Sequence, residues 1–141
     1  MEVEGLLKVG IAVKDVDKAY ANFVNAFGLP AGGGATFEPL QMRYETCYLG
    51  DVMIEFMEST TPDGPLARFI RRHWEGMQHL SVKVSNLEEA VVELKAKGIE
   101  FLNETPMEID ESAVGKGWFV FASPRSFNGV LVQLIELLKN E

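Results

Sequence analysis

An internal repeat is the feature of this sequence that most restricts its fold. Residues 8–19 and residues 79–90 share one pattern, in which a short apolar strand leads through an Asp or Asn into an amphipathic helix. A repeat of this size indicates two stacked supersecondary modules rather than one irregular domain. Equivalent positions in the two modules then predict a site built from both, and Lys8 stands where the second module has His79.

The strand and helix patterns predict a single α+β domain over 1–141. Module 1 covers about 6–58, a linker helix about 65–73, and module 2 about 77–136. Each module has the order β-α-β-β-β, and its helix must cover the apolar face of its sheet. The predicted strands are 6–14, 35–39, 42–49 and 52–58, then 77–84, 99–103, 107–111, 117–122 and 129–136. We expect the two sheets to form one cupped mixed sheet around a central cavity.

Cap residues mark the ends of the predicted helices. Asp15 begins a helix at about 16–28, and Asn86, with Glu89 three residues later, begins a second one that runs to about 97. Gly28 ends the first helix. Helical spacing predicts a buried face made of Val16, Ala19, Tyr20, Phe23 and Phe27. The glycines at 32–34 indicate a mobile loop.

Polar side chains alternate onto the strand faces that the helices leave uncovered. Lys8 lies on this face in the first module and His79 in the second, and the other positions there hold Gly10, Ala12, Ser81 and Lys83. Small and polar residues suit a pocket better than a packed core. Glu55 and Gln133 lie among apolar neighbours on the last strand of each module, where a buried polar group needs a partner. The natural partners are Lys8 and His79.

Composition excludes several classes of function. The net charge of −8 argues against a nucleic-acid surface, which would need a basic patch. No stretch has the roughly 18 apolar residues typical of a membrane helix, and the N-terminus lacks the features of a secretory signal. The single cysteine, Cys47, fits a reducing compartment, so we expect a cytoplasmic protein with an inert, buried thiol.

Three segments resemble the vicinal oxygen chelate superfamily, which includes glyoxalases, dioxygenases, bleomycin-resistance proteins and methylmalonyl-CoA epimerases. Residues 9–19 are similar to the opening strand and helix of the epimerases. Residues 64–70 with 75–79 resemble their linker helix and second-module start, and residues 123–134 resemble their closing loop and strand. The resemblance implies this fold, an isomerase or lyase that acts beside a carbonyl, and a homodimer.

The resemblance also implies a divalent metal on four side chains, which by position are Lys8, Glu55, His79 and Gln133. An ammonium has no lone pair for a cation, so Lys8 departs from the pattern. Glu55, His79 and Gln133 remain as metal ligands only if a metal is bound, and three ligands can hold a catalytic metal. Whether a metal is bound is left open.

Two interpretations of Lys8 follow. In the first, its ammonium pairs with Glu55 and replaces the metal by stabilising an enolate oxygen on a small acyl-CoA or carbonyl compound. In the second, Lys8 and Glu55 fill a disabled metal site, and the protein only binds small molecules, like the resistance members of the superfamily. Redox dioxygenase chemistry is disfavoured because its iron site needs two histidines.

Further residues complete the predicted site. Glu38, ahead of Glu45, is the better candidate for the carboxylate that moves the α-proton, although solvated strand glutamates explain both. Arg125 in the closing loop and Trp118 are predicted to bind substrate, together with Gln133. The cluster of Arg68, Arg71 and Arg72 fits either coenzyme A phosphates or a solvated helix face. His73 is interpreted as a surface residue at the helix end.

Overall fold

The computed structural model describes residues 1–139. Its strands are β1 Val3–Ala12, β2 Ala31–Phe37, β3 Met42–Leu49, β4 Val52–Ser59, β5 Gly76–Val84, β6 Met107–Glu111, β7 Gly115–Ala122 and β8 Leu131–Leu137. The helices are α1 Val16–Phe27, α2 Pro65–His73 and α3 Leu87–Ala96, and short 3-10 turns cover Glu38–Leu40 and Pro124–Phe127. None of the helices among the described residues is long and apolar enough to cross a membrane.

Contacts divide the chain into two compact units. The first unit is Lys8–Gln78, and the second joins Met1–Leu7 to the described residues from His79 to Lys139. In the first, the strand order is β2-β3-β4-β1, and in the second it is β5-β8-β7-β6. Each sheet is mixed, because β1 runs parallel to β4 and β5 runs parallel to β8, while the other pairs are antiparallel. The predicted α+β class and the repeated β-α-β-β-β plan are confirmed.

One helix covers one face of each sheet. In the first unit, Val16 of α1 packs with Ile54 and Phe56 of β4. In the second, Leu87 and Ala90 of α3 pack with Leu134 of β8. The predicted caps are present: Asp15 accepts a hydrogen bond from Lys18 N–H at 3.1 Å, and Asn86 accepts one from Glu89 N–H at 3.0 Å. The opposite face of each sheet therefore carries the polar positions.

The prediction of a loop at the glycines 32–34 was wrong. They lie within β2, where Gly33 and Gly34 pair with β3 and the register shifts at Gly32. A Cβ at Gly32 would lie 2.5 Å from Thr46 Oγ1 and 2.9 Å from a carbon of the Tyr48 ring. Here glycine permits a close approach of side chains from the neighbouring strand rather than motion. The strand also ends early, at Phe37, where Glu38–Leu40 forms a 3-10 turn.

Two other expectations need correction. The predicted strand at 99–103 is reduced to an isolated bridge between Phe101 and Ala122. Burial along α1 also falls towards its end: Val16 is fully buried, whereas Phe27 is 69% exposed. Phe23 still contacts the core residue Phe56, with ring centroids 4.9 Å apart, whereas the Phe27 ring lies 6.3 Å from that of Phe23. Helical spacing identified the apolar stripe of α1 but not how far the sheet extends beneath it.

Candidate functional site

A buried ion pair lies on the uncovered face of the first unit. Lys8 Nζ donates to Glu55 Oε1 at 3.0 Å, and the side chains are 3% and 1% exposed. The parallel register places Glu55 opposite Gly10, which lies two residues after Lys8 on the same face of β1. Because Gly10 has no side chain, the long lysine side chain reaches the carboxylate across it. The pairing expected from the sequence is therefore present.

The neighbours of this pair are mainly apolar. Met53 and Met57 flank Glu55 on β4, and Tyr44 and Thr46 lie on β3 opposite Met57 and Glu55. All four are buried, and Thr46 Oγ1 donates to the Gly33 carbonyl at 2.6 Å. Removing two charges from water is expensive, and their attraction offsets that cost only when the geometry is good. The pair must therefore be treated as one element, since loss of either partner leaves a buried charge.

The equivalent face of the second unit has a neutral pair. Gln133 lies opposite Ser81 in the parallel β5/β8 register, as Glu55 lies opposite Gly10. The Ser81 hydroxyl donates to Gln133 Oε1, and both side chains are buried. The sequence predicted His79 as the partner of Gln133. Ser81, which occupies the position of Gly10, is the donor that the sequence analysis did not assign.

His79 lies on the same face of the second unit and is 5% exposed. Its ring meets the Phe121 ring edge-on, with centroids 5.9 Å apart at an interplanar angle of 85°. Phe121 pairs in turn with Gln133 across β7 and β8. An aromatic side chain therefore contacts one side of the histidine in this unit.

The arrangement does not suit a divalent metal. The Lys8 ammonium bonds directly to Glu55, the strongest of the three candidate ligands. The hydrogen bond from Ser81 uses one of the two lone pairs of the Gln133 oxygen, and the amide NH₂ group has none for a cation. Within residues 1–139, no three His, Cys, Asp or Glu side chains are grouped to share a metal ion.

The remaining predicted site residues lie outside these pairs. Glu38 is exposed, in the 3-10 turn that joins β2 to β3, and Arg125 is exposed in the turn before β8. Glu45 alternates onto the α1 side of β3, away from Tyr44 and Thr46. Trp118 alternates onto the face opposite Phe119 and Phe121. Their roles in substrate binding or proton transfer stay predictions.

Two of the three linker-helix arginines bind protein groups. Arg68 donates to the Asp63 carbonyl and Arg71 to the Pro62 carbonyl, each at 2.9 Å. Arg71 also lies 3.6 Å from the Asp63 carboxylate. These contacts fasten the turn that precedes α2, so Arg68 and Arg71 have a structural role that the sequence did not indicate. Arg72 is exposed at the helix end.

Two carboxylates that the sequence analysis missed anchor the helices to the strands that carry the pairs. Glu58 accepts a hydrogen bond from Val16 N–H at 2.9 Å, and Glu136 accepts one from Leu87 N–H at 2.7 Å. Each carboxylate follows the polar strand residue, Glu55 or Gln133, by three positions and meets the first residue of the helix. Free N–H groups and the helix dipole favour negative charge there. This three-residue spacing, which both modules share, is the sequence signal from which the two anchors could have been predicted.

Burial makes Cys47 a poor nucleophile. The thiol lies in the core beneath α1, and desolvation raises its pKa. On the surface of the same unit, the Arg43 guanidinium hydrogen-bonds to Asp17 and holds the pKa of that carboxyl below its usual value. Neither group lies on the face that carries Lys8.

Comparison with known proteins agrees with this architecture. The model of the Glyoxalase/Bleomycin resistance protein/Dioxygenase superfamily matches residues 7–120, and the chain belongs to this superfamily. It is 32% identical over 127 residues to the human mitochondrial methylmalonyl-CoA epimerase, covering 89% of this chain and 70% of that protein. It is 30% identical over 128 residues to the uncharacterized protein YqjC of Bacillus subtilis, covering 91% and 89%.

A solved structure shows the same fold. A variant of the Streptomyces coelicolor methylmalonyl-CoA epimerase, in complex with 2-nitronate-propionyl-CoA, matches with a TM-score of 0.88 at 17% identity. The match covers 98% of this chain and 100% of that one. The superfamily and fold expected from the sequence are confirmed.

Proposed function

We propose that this protein is an isomerase-type enzyme that moves a proton beside the carbonyl of a small acyl-CoA thioester. The observation that carries the proposal is the buried Lys8–Glu55 pair, which puts a fixed positive charge among apolar neighbours. The likeness to methylmalonyl-CoA epimerases supports the reaction type. The acyl-CoA analogue bound by a relative supports the substrate class.

In the proposed step, the Cα–H bond of the thioester breaks and the proton passes to a carboxylate, for which Glu38 is the candidate. The electron pair forms the enolate C=C bond, and negative charge develops on the former carbonyl oxygen. An ammonium has three N–H donors, so Lys8 can bind this oxygen while it keeps its bond to Glu55. A charge positioned for the transition state is worth about 100- to 1,000-fold in rate.

Inversion of configuration at Cα requires more than exchange of the α-proton with solvent. A single carboxylate that returns its proton to the same face restores the starting configuration, so epimerisation needs a donor for the other face. The sequence places His79 in the predicted polar centre, and we propose it as this second donor. Gln133, with its amide oxygen bonded to Ser81, is proposed to present its NH₂ group to a substrate oxygen.

The test follows the α-proton of 2-methylmalonyl-CoA in heavy water. We expect deuterium incorporation by the unmodified protein and a loss of about 100-fold or more in Lys8→Met. Lys18→Met, which removes an exposed lysine on α1, is the matched control and should keep full activity. Unchanged turnover in a folded Lys8→Met protein rules out the electrophile role of Lys8.

The same pair also favours a second function, a small-molecule binding protein. Lys8 and Glu55 are buried and bonded to each other, as expected if they fill a former metal site. Such a protein would bind acyl-CoA esters without exchange at the α-carbon. Affinity with no deuterium incorporation therefore selects the binding protein over the enzyme.

A further inference from the structure

Trp74 has an unusual position for a large aromatic residue. It follows α2, and its side chain is 63% exposed. Its backbone adopts φ 70° and ψ −176°, a positive φ that is rare for a bulky side chain. Its N–H closes the helix by donating to the Ile70 carbonyl at 2.8 Å. Strain of this kind persists only where neighbouring contacts maintain it, and it is a reason to look for a function.

Contacts from the β1–α1 connection hold the indole. Lys14 Nζ lies 3.7 Å from the centroid of the Trp74 ring. The Lys14 N–H donates to Glu75 Oε1 at 2.7 Å, which fixes the segment beside the tryptophan and engages the neighbouring carboxylate. A cation over an indole face is favourable in itself. The result is an aromatic side chain held at the surface with an ammonium beside it.

Basic residues continue from this point. The last turn of α2 contains Arg71, Arg72 and His73 in a chain with a net charge of −8. Arg71 is committed to the preceding turn, whereas Arg72 and His73 are exposed. We define the Trp74 patch as Lys14, Arg72, His73 and Trp74. It combines a flat aromatic surface with positive charge.

We propose that the Trp74 patch binds the nucleotide end of a coenzyme A thioester, with the purine against the indole and the phosphates near Lys14 and Arg72. The proposal rests on the acyl-CoA substrate proposed above. A nucleotide has a base whose π-face can stack on the indole and phosphates whose negative charge can pair with the basic side chains. Lys8 and Lys14 are six residues apart along β1 and the connection that follows it, so at about 3.3 Å per residue they are separated by at most roughly 20 Å. A long, flexible pantetheine arm between thioester and nucleotide fits that separation.

The experiment compares coenzyme A with pantetheine, which lacks the nucleotide, by calorimetric titration. We expect Trp74→Gly to weaken coenzyme A binding roughly tenfold to a hundredfold, since aromatic–base stacking has this effect. Pantetheine binding should not change. Glycine suits the positive φ, so this variant should stay folded. Phe27→Ala, which removes another exposed aromatic of the same unit, is the matched control and should leave both ligands unaffected.

Lys14→Met is a second variant that leaves the tryptophan in place, and it should also weaken only coenzyme A. Equal weakening of coenzyme A and pantetheine overturns the proposal. The proposal is also overturned if both variants bind coenzyme A as tightly as the unmodified protein. It is overturned as well if Trp74→Gly dissociates a dimer without any change in coenzyme A affinity.

Proton exchange separates this proposal from the proposed function. If the protein exchanges the α-proton of a methylmalonyl-pantetheine thioester, and Trp74→Gly does not distinguish coenzyme A from pantetheine, the proposed function stands and the proposal for the Trp74 patch is overturned. If the variants lose only coenzyme A binding and the protein exchanges no thioester α-proton, the proposal for the Trp74 patch stands and the proposed enzyme function is overturned.

Discussion

The two modules have one scaffold and two different polar centres. In both, a parallel strand pair is covered by a helix on one face, and a carboxylate anchors the helix N-terminus to the last strand. At the equivalent register position, the first module has a charged pair, Lys8 with Glu55, and the second a neutral pair, Ser81 with Gln133. The scaffold therefore accepts either chemistry, and the residue opposite the polar side chain is one of the positions at which the modules differ.

That residue is Gly10 in the first module and Ser81 in the second. Glycine leaves space for a lysine two positions earlier to reach the carboxylate. Serine supplies a short donor of its own, which occupies the amide oxygen. The difference at this position, together with those between Lys8 and His79 and between Glu55 and Gln133, thus gives each buried group a different partner.

The largest expected effect comes from breaking the charged pair. Lys8→Met or Glu55→Gln alone should lower the free energy of unfolding by about 3–5 kcal/mol, because each leaves a buried group without its partner. The double variant should lose less than the sum, since it leaves no lone charge. Urea unfolding of the four proteins measures this coupling as a double-mutant cycle. Additive losses would contradict the view of the pair as one element.

The neutral pair should be worth less. Ser81→Ala leaves the buried Gln133 oxygen without its donor, and we expect a loss of about 1–3 kcal/mol in the free energy of unfolding. Ser81→Thr keeps the hydroxyl and should recover most of this loss. Urea unfolding is again the measurement. A loss in Ser81→Ala as large as that of Lys8→Met would remove the distinction between the two centres.

The helix anchors should behave alike in both modules. Glu58→Ala and Glu136→Ala each remove an acceptor at a helix N-terminus, for which about 0.5–2 kcal/mol is typical. Thermal unfolding followed by circular dichroism gives both values, with Glu88→Ala, an exposed glutamate in the first turn of α3, as the control. A large difference between the two anchors would show that the modules diverge in their scaffold as well as in their polar centres.

The sequence was sufficient for most of the fold because the apolar periods and cap residues are local signals. Asp15 and Asn86 begin their helices as predicted. The glycines at 32–34 could not be interpreted locally, since glycine favours both mobile loops and close strand contacts. Only the partner strand decides, through Thr46 and Tyr48. The exposure of Phe27 depends in the same way on where the sheet ends.

For the site, alternation along the strands correctly placed Lys8 beside Glu55. It did not predict that Ser81 would bind Gln133, because that contact depends on the register of two strands far apart in sequence. Trp74 was not among the predicted site residues. Its positive φ and its contact with Lys14 are properties of the folded chain that no spacing rule contains.

The smallest expected effect concerns Cys47, for which the second module has Ala122 at the equivalent core position. Burial raises the pKa of the Cys47 thiol, so the folded protein keeps this proton to a higher pH than the unfolded chain does. The unfolded state then binds fewer protons at alkaline pH, and the free energy of unfolding falls as pH rises from the unfolded towards the folded pKa. Cys47→Ala should lack this alkaline decrease in the free energy of unfolding. Urea unfolding of both proteins between neutral and alkaline pH measures the difference.

Thiol labelling tests the burial of Cys47 directly. Native Cys47 should react with a thiol reagent only as fast as the protein opens. Fast labelling of the folded protein at neutral pH would show that the core beneath α1 is open, unlike its counterpart beneath α3.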